Sequence, residues 1–76
     1  MGLGIGYSWI SKGLALVNLG QYQNGIECLD RILGIVQNDS KAWRLKGVSL
    51  AKLGQYQEAG KCFEKVVAIE PDSLYS

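Results

Sequence analysis

The chain has 76 residues, is 47% hydrophobic and 20% charged, carries a net charge of +1 and contains no histidine. That length holds one small domain or a piece of a larger one, and the composition is that of a globular chain, not a disordered one. The near-neutral balance offers no basic face for nucleic acid. Without histidine the commonest general base and metal ligand are missing, so neither a cofactor nor a catalytic set is expected.

Residues 1–5 read as a short leader. The first ten residues, MGLGIGYSWI, lack the basic start and long apolar run of a signal peptide. The glycines and polar residues scattered through 1–20 exclude a membrane span. From residue 6 the apolar positions take helical spacing. Trp9, Ile10, Leu14, Leu16 and Val17 predict a helix over 6–19, and Gly20 stands where a helix end favours positive φ. Ile26, Leu29, Ile32, Leu33 and Val36 predict a second helix over 23–36. Asn38, Asp39 and Ser40 then supply capping oxygens for a third over 40–53, marked by Trp43, Val48, Leu50 and Leu53. After Gly54, Phe63, Val66, Val67 and Ile69 predict a fourth over 57–70, which Pro71, Asp72 and Ser73 close. Residues 74–76 form a tail. Such short connections make sequential helices antiparallel, so the expected fold is all-α: two helical hairpins in a row.

The word LGQYQ occurs at 19–23 and again at 53–57. Shifting the chain by 34 residues aligns eleven identities, including Trp9/Trp43, Lys12/Lys46, Gly13/Gly47, Leu16/Leu50, Cys28/Cys62 and Ile35/Ile69. A period of this length marks a repeat architecture. Gly13 and Gly47 fall inside helices, where glycine costs about 1 kcal/mol against alanine. The repeated cost implies that the partner helix passes too close for a Cβ, with Gly25 and Ala59 on the other side. In LGQYQ, Leu19 and Leu53 should end the first helices on the core, and Tyr22 and Tyr56 should pack from the turn. Gly25 and Gly34 make helix 23–36 weak by propensity, so the first hairpin should be the softer. Cys28 and Cys62 read as small apolar core residues, with a disulfide or redox pair as the alternative.

These landmarks resemble the tetratricopeptide repeat (TPR) family. The second unit carries Trp43, Gly47, Leu50, Gly54, Tyr56, Ala59, Phe63 and Pro71 in the family's order. The first carries Trp9, Gly13, Leu16, Gly20 and Tyr22, then departs with Gly25 for Ala, Leu29 for Phe and Gln37 for Pro. Lys12 and Lys46 stand where the family usually has Leu. The resemblance implies an α-α superhelix, a right-handed solenoid segment of two repeats at 6–39 and 40–73.

It also implies a non-catalytic protein–protein interaction scaffold that binds a peptide or a partner's helix on a concave face. By alignment that face holds Tyr7, Ile10, Ser11, Leu14 and Asn18 from the first unit. From the second it holds Lys41, Arg44, Leu45, Val48 and Lys52. One half is apolar and the other basic, which suits a ligand with an acidic and an apolar end; the alternative is that Ile10, Leu14, Leu45 and Val48 are core or contact a neighbouring chain. Some members grip a chaperone's terminal carboxylate with Lys, Asn and Arg; Ile10, Leu14 and Leu45 occupy those places here and do not support that binding. Repeat arrays need covered ends. Neither the apolar first helix nor the last helix is fully covered by one neighbour, so a longer array or self-association into a homo-oligomer is expected. The remaining expectations are a cytoplasmic location, no nucleic acid and no membrane. Two alternatives stay open: a thiol enzyme or redox sensor using Cys28 and Cys62, and a module whose only partner is itself.

Overall fold

The computed structural model describes residues 5–70, with side chains from Trp9 onward. Four helices follow in order: α1 Ile5–Asn18, α2 Tyr22–Ile35, α3 Ser40–Lys52 and α4 Tyr56–Ile69. Each boundary lies within one residue of the apolar spacing's expectation. No strand occurs among the described residues. Pro71, expected to close the last helix, lies outside them.

The repeated corner is a backbone device. At the end of α1 the Gln21 N–H donates to the Leu16 carbonyl at 2.8 Å and the Gly20 N–H to Val17 at 3.0 Å. At the end of α3, Gln55 donates to Leu50 at 2.8 Å and Gly54 to Ala51 at 3.0 Å. This is the Schellman pair of bonds, which needs a left-handed residue one step past the cap. Gly20 and Gly54 supply it, both at φ +86°. The flanking side chains do not play the part the sequence suggests. Leu19 and Tyr56 are each 72% exposed and Leu53 is also exposed, while only Tyr22 is half-buried. LGQYQ recurs because its backbone turns the same way twice, not because its leucine and tyrosine fill the core.

The loop between hairpins ends on Asp39, whose Oδ1 accepts from the N–H groups of Lys41 (3.1 Å) and Ala42 (3.3 Å). These are two of the donors a helix start leaves unpaired. Within each hairpin the mid-helix glycine admits its partner. A Cβ on Gly13 would stand 3.2 Å from Leu29 Cδ2, and one on Gly47 would stand 2.9 Å from Phe63 Cε1 and 3.2 Å from Cys62 Cβ. In the first hairpin Gly25 is the other side of this approach, its carbonyl 3.7 Å away. In the second the three nearest atoms belong to Phe63 and Cys62.

The helices stack in sequence. α2 packs against both α1 and α3, α4 packs on α3, and α1 touches α3. No described Cα of α4 lies within 8 Å of one in α1 or α2. One core cluster joins Leu29, Ile32, Leu33 and Ala42, with Trp9, Ile10, Trp43 and Leu45 against it. The other joins Ile26, Leu50, Ala59 and Cys62, with Trp43 and Ala51. Trp43 therefore ties the hairpins together, and its Nε1 donates to the Gln37 carbonyl at 2.8 Å. The buried Ser49 hydroxyl donates to the Leu45 carbonyl at 2.9 Å, so its burial leaves no unpaired polar group.

Candidate interaction surface

Positions 10, 11, 14 and 18 of α1 recur at 44, 45, 48 and 52 of α3, steps that keep side chains on one face of each helix. α1 and α3 lie in contact, so the two stripes adjoin. On α1, Ser11, Leu14 and Asn18 are exposed, Leu14 by 43%. Ile10 is half-buried against the α2 cluster. The side chain of Tyr7 lies outside the described residues. On α3, Lys41, Arg44 and Lys52 are exposed, while Leu45 and Val48 are half-buried, Leu45 against the same α2 cluster as Ile10. The three cations make no ion pair with another described residue.

The opposite side carries an arrangement the sequence reading missed. Each tryptophan ring has two cations within about 6 Å of its centroid. Over Trp9 stand Lys12, 5.3 Å from the ring centroid, and Arg31 at 5.6 Å. Over Trp43 stand Lys46 at 5.6 Å and Lys65 at 5.8 Å. The lysines that replace the family's leucine thus reach a ring with the charge, a contact of about 0.5–1 kcal/mol at such exposure. The signal was available: the 34-residue shift aligns Trp9, Lys12 and Arg31 with Trp43, Lys46 and Lys65, and an i, i+3 pair shares a helix face. Lys46 Nζ also meets Asp30 Oδ1 of α2 at 2.7 Å, bridging the two hairpins. A partly exposed pair of this kind adds only about 0–1 kcal/mol. Around it α2, α3 and α4 enclose an open cleft of about 860 Å³ lined by Asp30, Leu33, Gln37, Trp43, Lys46 and Lys65, among others.

Cys28 and Cys62 are free and buried. Burial pushes the Cys62 thiol up from its ordinary 9.0; Lys46 opposes that, and Glu58 and Asp30 add to it. A buried neutral thiol is a poor nucleophile. No group of three potential metal ligands occurs among the described residues. No described helix is long and apolar enough to cross a membrane.

Comparison with known proteins places this geometry. One tetratricopeptide-repeat family model matches residues 6–39 and another matches residues 40–73. Neither the curated proteins nor the solved structures compared with the chain gave a match. The repeats of this family mediate protein–protein interaction. With two consecutive matches spanning 6–73 and two glycine-cornered hairpins in the same places, the chain belongs to the tetratricopeptide repeat family.

Proposed function

We propose that the chain is a non-catalytic scaffold whose α1–α3 face binds a peptide or partner helix with an acidic end and an apolar end, and that the chain also self-associates. The observation that carries the binding mode is the basic row of Lys41, Arg44 and Lys52, without an ion pair among the described residues, beside Leu14 and Val48. A row of exposed positive side chains attracts an anionic segment and sets its orientation. The half-exposed aliphatics add apolar area where that segment crosses to α1. Ile10 and Leu45 serve mainly to hold the face on α2. The free thiols accord with a reducing compartment such as the cytoplasm.

The test is fluorescence anisotropy with labelled amphipathic helical peptides that differ only in the charge of one end. Acidic peptides should bind the chain more tightly than basic ones, and added salt should narrow the difference. Arg44→Glu should remove the preference with the helical content unchanged. Equal binding of both peptides, or an Arg44→Glu variant that keeps the preference, refutes this face as the site.

A further inference from the structure

We propose that the outer face of α4 takes α1 of a second copy, in the register in which α2 takes α3 within one chain. This rests on the self-association reading and names the surface that carries it.

The internal boundary is the template. Positions 34 residues apart are equivalent, so α2 shows what α4 becomes once another hairpin lies against it. Leu29 is fully buried and Leu33 is 8% exposed, because α2 has a neighbour on each side. Their equivalents Phe63 and Val67 are 39% and 38% exposed, although Phe63 fills its own hairpin against Gly47 as Leu29 does against Gly13. Among the described helices, what separates the two pairs is that α3 covers α2 and no helix covers α4 in the same way.

Charge identifies the occupant. Across the internal boundary Asp30 of α2 holds Lys46 of α3 at 2.7 Å. The equivalent residues are Glu64 on α4 and Lys12 on α1, both exposed and without an ion pair among the described residues. One chain thus presents the acid on its last helix and the matching base on its first. Repeating the internal step sets Glu64 of one copy against Lys12 of the next, and Phe63 and Val67 against the side of α1 that bears Trp9. A surface complementary to another surface on the same molecule is what a heterologous contact requires.

One anchor is missing. Ile26 of α2 reaches into the cluster of Leu50, Ala59 and Cys62 across the boundary, but its equivalent on α4 is Gly60, which faces open space. The contact between copies is therefore weaker than the internal one, and an isoleucine at 60 has room to strengthen it. Because a heterologous contact leaves a free end on each side, growth does not stop at two copies.

The experiment is sedimentation across a wide concentration range on the full chain, with helical content followed by circular dichroism. The mass should rise past the dimer without a plateau. Lys12→Glu alone and Glu64→Lys alone should each weaken association by about tenfold or more. An equimolar mixture of those two variants should recover it, since every contact is then between opposite charges. Gly60→Ile should tighten it. A strict monomer at millimolar concentration overturns both the self-association reading and this register. A closed dimer, or association unmoved by the single reversals or not recovered in the mixture, overturns the register and leaves self-association standing.

Discussion

The two hairpins solve the same close approach in opposite ways, and Gly25→Ala tests this. In the first hairpin the small residue is Gly25 and the larger one is Val17; at the equivalent places the second has Ala59 and Ala51. A Cβ on Gly25 would stand 2.9 Å from Val17 Cγ2 and 3.3 Å from the Gly13 carbonyl oxygen. A β-branched side chain in a helix is held to essentially one rotamer, so Val17 cannot swing aside cheaply. Overpacking of this kind costs about 1–3 kcal/mol. The gain in helix propensity from glycine to alanine returns about 1 kcal/mol. Gly25→Ala should therefore destabilise the fold by about 1 kcal/mol.

The same substitution should change sign in a Val17→Ala background. There the added methyl enters space that the valine has left, which is the arrangement the second hairpin already uses. The propensity gain of up to about 1 kcal/mol is then opposed only by the 3.3 Å approach to the Gly13 carbonyl oxygen. Urea unfolding of the parent, the two single variants and the double variant gives the coupling directly. A favourable coupling of about 1–3 kcal/mol is expected. If Gly25→Ala has the same effect in both backgrounds, the glycine is not there to admit Val17, and the packing argument fails.

Cys62 has a raised folded-state pKa through burial, so the folded chain holds this proton more tightly than the unfolded one. Its stability contribution is full below the unfolded pKa and falls as pH rises through about 9.0 towards the folded value; urea midpoints between pH 7 and 10.5 should decline more steeply than those of Cys62→Val, and equal slopes would refute the assignment. Hydrogen exchange at a concentration low enough to keep the chain monomeric should show amides of α4 opening before those of α2, since among the described helices α4 packs on one and α2 on two. Earlier exchange in α2 would mean that its glycines outweigh its burial.

Helix positions were legible because apolar spacing and the Gly20 and Gly54 breaks are local signals. The tight hairpins were legible because Gly13 and Gly47 recur at one period and glycine inside a helix needs a reason. Other features depend on which helix has a neighbour on which side, and no single repeat encodes that. Tyr56 matches Tyr22 letter for letter, yet the first is exposed and the second half-buried. Phe63 is the family's landmark core residue, yet part of its ring faces outward. On the candidate face the basic row was readable by alignment. That Ile10 and Leu45 brace the helices against α2 required the packed structure. The cation pairs over the tryptophans were written in the sequence as a repeated Trp-x-x-Lys, but a lysine at a core position reads as an anomaly until its charge and the ring are seen together.

The conflict over α2 shows how these levels combine. By propensity it is the weakest helix, since Gly25 and Gly34 each cost up to about 1 kcal/mol against alanine, and from that alone the first hairpin should be the softer. Yet Gly25 is the residue that lets α1 approach, so part of its propensity cost is inseparable from the packing it permits. Gly34 faces open space and brings no such return. Against these costs stands the burial of Ile26, Leu29, Ile32 and Leu33. Each fully buried aliphatic side chain of this size is worth about 1.5–3 kcal/mol relative to exposure. Four such side chains exceed two glycine penalties by a wide margin. In a stack where helices pack mainly on their neighbours, place in the stack outweighs intrinsic preference, and among the described helices the less secure is α4, the one with the better residues and the fewer contacts.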